Sequence, residues 1–119
     1  AAVGYILSGA SSTTFSTSGS DIAFKENVKD WDENVLESFK NIKPSTFNYK
    51  SDENKKEVKG YIAQNEVDKF PEAYPINPKD GKRWFNPSGM TVYLMKAIQE
   101  QQEQIEALQS EINTLKGGE

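Results

Sequence analysis

The chain has 119 residues, 35% of them hydrophobic and 27% charged, with a net charge of −4, enough for one domain with a modest core and without a basic stripe to suit a phosphate backbone. It contains no Cys and no His, which excludes disulfide frameworks, thiolate nucleophiles, His-based triads and the usual zinc sites. No run approaches the ~20 apolar residues of a membrane span, so neither nucleic acid nor a membrane is an expected partner and no cofactor or metal is implied.

Residues 1–19 (AAVGYILSGASSTTFSTSG) carry no charge, and their Thr, Tyr, Ile, Val and Phe favour extended backbone. A single copy of such a segment buries little. It reads either as a Ser/Thr/Gly linker or as the strand-like end of a larger structure whose partners lie upstream or on other chains; we expect the second. A seam follows at residues 20–28 (SDIAFKENV), where the uncharged sequence stops and a charged, globular-looking one begins.

Beyond the seam, Asp30 and Glu33 have the spacing of a capping box, and Val35, Leu36, Phe39 and Ile42 then fall on one helical face. That helix should stop before Pro44. TFNYK (46–50) alternates like a half-buried strand, a charged loop follows, and GYIAQ (60–64) reads as its hairpin partner. NEVDKF (65–70) suits one helical turn. Residues 71–89 hold four of the five prolines and two glycines, which predicts an irregular or protruding arm, with Lys79, Asp80 and Gly81 at its turn and Trp84 and Phe85 as a gripping surface.

Residues 90–116 read as a helix in which Leu94, Ile98, Gln101, Ile105, Leu108, Ile112 and Leu115 recur at alternating steps of four and three, the seam of a coiled coil. Ile at one core position and Leu at the other nominally favour two strands, while Gln101 can set register or strand number. Glu111 and Lys116 stand five apart, the offset of an attractive pair between neighbouring helices. A lone amphipathic helix packed on its own domain is the competing reading, but the narrow apolar seam and Gln/Glu-rich flanks oppose it. The expected architecture is therefore α+β: a strand-like leader (1–20), a core of short helices and a hairpin with an arm (21–89), and a coiled-coil helix (90–119).

Without His, a serine nucleophile needs another proton acceptor, and a lysine kept neutral by burial can serve. Ser20 and Lys25 are candidates, with Ile22, Ala23 and Phe24 as local apolar cover. Spacing alone says little, because Ser38 with Lys43, Ser45 with Lys50, and Ser51 with Lys56 share it.

In order along the chain, SDIAFKENV, FKNIKPSTFNYK, GYIAQ followed by Phe70, Pro71 and Glu72, and MKAIQEQQEQIEAL resemble the C-terminal intramolecular chaperone domain of phage tailspike, tail-fibre and neck-appendage proteins, closest to the neck-appendage type of Bacillus phages. The resemblance runs from Ser20 to the end. It implies a homotrimer that holds three copies of an upstream stalk together until they fold into an intertwined β-helix, then releases itself by autoproteolysis in the host cytoplasm during virion assembly. The family's Ser–Lys dyad falls on Ser20 and Lys25. Asp21 matches the Asp or Asn after the serine and flanks the cut, and Lys25, Glu26 and Asn27 match its KEN, with Glu26 and Asn27 as candidates for positioning or oxyanion support. Residues 65–70 depart from the family's usual run of glutamate and valine, and the arm is a variable region.

The family's cut lies between Ser20 and Asp21. A serine attacking its own carbonyl passes through a strained four-membered ring, which a carbonyl on a neighbouring chain avoids; attack on the Gly19 carbonyl needs a five-membered ring, so the bond between Gly19 and Ser20 is the alternative. The rival function is a permanent, non-cleaving trimerisation cap of a viral fibre. An enzyme acting on a diffusible substrate is disfavoured, since no glycine-rich phosphate cradle and no carboxylate pair in a recognisable motif is present.

Overall fold

The uncharged leader forms a short hairpin. In the computed structural model, which describes residues 5–11, 13–16 and 19–117, strands β1 (Tyr5–Ser8) and β2 (Thr13–Ser16) pair antiparallel, with Tyr5 opposite Ser16 and Ser8 opposite Thr13. A single 3-10 turn, Ile22–Phe24, follows. These elements belong to the first of two compact units, residues 1–32, and everything else belongs to the second, residues 33–119.

In the second unit helix α1 spans only Leu36–Lys40. The capping box expected at Asp30 and Glu33 does not form, and Val35 takes the N-cap position without a side-chain cap of its own. A helix start leaves N–H groups without intrahelical partners, and here a distant carboxylate accepts them: Glu100 receives the Val35 N–H at 2.9 Å and the Leu36 N–H at 3.3 Å. A negative charge at a helix N-terminus also suits the dipole. Asn41 closes the helix, its side-chain amide donating to the Glu37 carbonyl at 3.1 Å.

Strands β3 (Ser45–Phe47) and β4 (Val58–Gly60) pair antiparallel, with Ser45 opposite Gly60 and Phe47 opposite Val58. The hairpin is thus present, but its second strand ends at Gly60, where the sequence pattern had it begin. The loop explains the shift. The Asp52 carboxylate accepts the N–H groups of Asn54 and Lys56, both at 3.0 Å, and Lys55 adopts a left-handed φ of 52°, so the loop turns early and places Val58 across from Phe47. Residues assigned to the strand from Ala63 onward instead form helix α2, Ala63–Glu66.

Phe70 precedes a 3-10 turn, Pro71–Ala73, and both enter a small core of Val35, Phe70, Ala73, Tyr74, Tyr93 and Ala97. The Phe70 ring lies 4.7 Å from that of Phe39 and 5.1 Å, edge-on, from that of Tyr93, within the range where aromatic pairs attract beyond their burial. Residues 75–86 form no named helix or strand, as expected, but one bridge and a turn close them on themselves. Ile76 bridges Arg83, Asn77 exchanges backbone bonds with Gly81 and Lys82 at 2.8 Å, and Gly81 takes the positive φ (68°) that the turn needs. Arg83 ties this small hairpin down by donating to the Tyr74 carbonyl at 2.8 Å. Trp84 and Phe85 are both more than half exposed, and the Phe85 ring lies 5.5 Å from that of Tyr74.

Helix α3 runs from Pro87 to Gly117, starting three residues before the expected Met90. Asn86 accepts the Ser88 N–H at 3.2 Å and Pro87 occupies the first turn, the arrangement favoured at helix starts. Gly89 lets that turn lie against the 3-10 turn, because a Cβ there would overlap the Glu72 carbonyl. Gly89→Ala should therefore destabilise the second unit by about 1–3 kcal/mol, while Gly117→Ala, with open space around it, should not; thermal melting of the two variants checks this.

Tyr93 donates a short hydrogen bond to Glu72. Burial first, then that bond and the charges of Glu72 and Glu33, push the Tyr93 hydroxyl well above its ordinary value. A folded-state pKa raised above the unfolded one contributes stability that is complete below about pH 10 and is lost as pH rises through the folded value. Wild type should accordingly exceed Tyr93→Phe in stability at pH 8, and the gap should close at strongly alkaline pH in urea titrations.

Candidate functional site

The residues of the seam are brought together by one local device. The Asp21 carboxylate accepts the Ala23 N–H at 2.9 Å and caps the 3-10 turn, whose backbone closes through Phe24 N–H to Asp21 O and Lys25 N–H to Ile22 O, both 3.0 Å. The chain is thereby reversed over four residues. Lys25 Nζ reaches Ser20 Oγ at 3.0 Å. Of the four Ser–Lys pairs with this spacing, it is the one whose side chains meet among the described residues. Asp21 therefore has a positional effect that the sequence motif did not reveal.

Chemically, a hydroxyl and an amine at that distance can pass a proton in either direction. An ammonium donates to the serine, whereas a neutral amine accepts from it and leaves an alkoxide-like nucleophile. The expected burial of Lys25 is not provided by its own chain. Ile22 and Phe24 are 70% and 76% exposed and Lys25 is exposed as well, because a three-residue surface turn has no second layer to press against the amine.

The remaining predicted residues cluster around the same turn. The Phe24 ring lies over Gly19, where a Cβ would come within 2.8 Å of Cδ2, so one side of the peptide preceding Ser20 is covered by an aromatic edge. That contact was not foreseen. Glu26 is exposed, and Asn27 takes a left-handed φ of 54°, a conformation Asn tolerates better than most residues.

The second feature is on α3, which has two working faces in its first half. Met90, Tyr93, Ala97 and Glu100 face the core and α1. Leu94, Ile98, Ile105, Leu108, Ile112 and Leu115, one step round the helix, are all between 45% and 75% exposed. Beyond Leu94, which borders the core, none of these seam side chains belongs to the core of its own unit. Among the described residues no helix is long and apolar enough to cross a membrane, and no group of His, Cys, Asp or Glu is placed to hold a metal ion.

A family model whose name is that of a peptidase family, and whose description reads chaperone of endosialidase, matches residues 20–74. The match begins on Ser20, includes Lys25, the β3–β4 hairpin and the 3-10 turn at Pro71–Ala73, and ends before most of the arm and before α3. It agrees with the resemblance drawn from the sequence over that segment. No curated protein and no solved structure gives a significant match to the chain.

Proposed function

We propose that this chain is a self-releasing intramolecular chaperone: three copies associate through α3, hold an upstream fibre or appendage stalk while it folds, and are then cut free at the seam by Ser20 with Lys25 as base. The observation that carries this reading is the 3.0 Å contact between Ser20 Oγ and Lys25 Nζ, located at the start of the segment that matches the chaperone family. The uncovered heptad face of α3 supports association between chains, and the number three comes from the family resemblance.

In the proposed reaction the neutral amine takes the hydroxyl proton, Oγ adds to the scissile carbonyl, and the C–N bond breaks as the proton passes to the leaving amine. Water then hydrolyses the ester and regenerates Ser20. Nucleophile, base and scissile bond share one assembly, so a single turnover draws on a high effective concentration. Trimer formation gives the cut its timing: neighbouring chains would cover the exposed turn, and desolvation favours an uncharged amine. It would also present Ser20 with a carbonyl on another chain.

The exposure of Lys25 in the single chain favours the rival reading, a cap that trimerises a fibre without cutting it. A denaturing gel of the chain expressed with its upstream stalk separates the two. Two bands from wild type and one from Ser20→Ala are expected; one band from both, with the stalk folded, means a permanent cap.

A further inference from the structure

Between α1, α2 and α3 the second unit holds an open cavity of about 240 Å³. Its wall is almost wholly apolar, with Phe39, Phe70, Tyr74, Phe85, Met90 and Leu94 prominent. Glu66, the acid in that wall, is 1% exposed, and its carboxylate is engaged by the Lys43 N–H at 3.0 Å and the Lys69 ammonium at 3.1 Å. The cavity therefore offers an apolar guest a lining whose charge is already neutralised. An engineered apolar cavity of about 150 Å³ is enough to take benzene, so an aliphatic or thioether side chain fits this one.

The sequence repeat says which side chain arrives there. Leu94 is at once a wall of the cavity and the first apolar residue of the exposed seam. Counting heptads back from Glu111 and Lys116, the flanking pair with the interchain offset of five, three repeats earlier the same two positions are Met90 and Met95. Met90 lines the cavity, while Met95 is 64% exposed. In a parallel coiled coil those flanking positions meet across the interface.

We infer that the cavity beside Leu94 is the receptacle for Met95 of a neighbouring copy of this chain, a lock that joins the coiled coil to the globular unit of the next protomer. The inference rests on the proposed association through α3, and it requires parallel chains rather than a particular number of them. Methionine suits such a joint because its flexible thioether fills irregular apolar space and contacts aromatic rings favourably. The lock would hold the register of the globular units as well as that of the helices.

The chain has two methionines, Met90 and Met95, so methyl NMR reads the contact directly. Chains carrying 13C-methyl methionine are mixed with unlabelled chains, and filtered NOEs are collected between copies, with sedimentation equilibrium run on the same sample. Five residues along one helix place the two side chains ~140° apart around the axis, so a contact between them within one chain is excluded. Associated chains with a Met90–Met95 cross-peak between copies, and association weakened at least tenfold by Met95→Glu without a change in the monomer's circular dichroism, support the lock. Associated chains without that cross-peak overturn it and leave the coiled coil standing; chains that do not associate overturn both.

Discussion

Lys25→Ala leaves the chain attached to its stalk. In the proposed reaction the amine is the only base in reach of Ser20 Oγ among the described residues, and a positioned general base typically contributes 10²- to 10⁴-fold. A loss of that size turns a cut completed during assembly into one not seen on a gel. Lys25→Arg should fail equally, since a guanidinium keeps the charge and the hydrogen bond but does not give up its proton. Both residues are exposed and lie outside the core of the second unit, so substitution should alter its stability by no more than about 0.5 kcal/mol. Unchanged melting with an abolished cut is the expected pairing, and rescue by Lys25→Arg would assign the residue a purely electrostatic or structural role.

Replacing Ile105 and Leu108 together by Asn should reduce the assembly to single chains. Both side chains are 58% exposed in the isolated chain, and neither belongs to its core. Burying an Ile or Leu side chain is worth roughly 1.5–3 kcal/mol, so two per chain over three chains remove on the order of 10 kcal/mol from association. The second unit, built on Val35, Phe70, Tyr74, Tyr93 and Ala97, should still melt cooperatively. Sedimentation equilibrium checks the mass and circular dichroism checks the fold; a variant that remains oligomeric would show that α3 is not what joins the chains.

Features that depend on spacing alone were legible in the sequence. The long helix and its narrow apolar stripe follow from the repeat, and the exposed stripe on α3 is what that repeat requires. Features decided by side-chain bonds were not. The start of α1 depends on Glu100, 65 residues further on, and no local pattern announces such a cap. The position of β4 depends on Asp52 holding an early turn, which alternation of apolar residues cannot show. The start of α3 was available in principle: Asn86 followed by Pro87 is a helix-start signal, obscured by its place in a proline-rich stretch.

At the seam, the residue types and their spacing were legible and their meeting was not. Four Ser–Lys pairs share one separation, and what distinguishes Ser20 with Lys25 is the cap from Asp21 that folds the intervening turn. The exposure of Lys25 was the reverse of what its apolar neighbours suggested. Ile22 and Phe24 project from a turn too short to fold over the amine, and in the proposed assembly they become contact residues for the next chain.

The central claim is that this chain cuts its own backbone beside Ser20. The most direct measurement is the intact mass of the folded protein expressed with its upstream stalk. The expected products are a fragment of residues 21–119, 99 residues beginning at Asp21, and an equal amount of a stalk ending on Ser20; a fragment one residue longer would move the cut to the bond between Gly19 and Ser20. An unbroken mass from a folded, associated sample would contradict the claim.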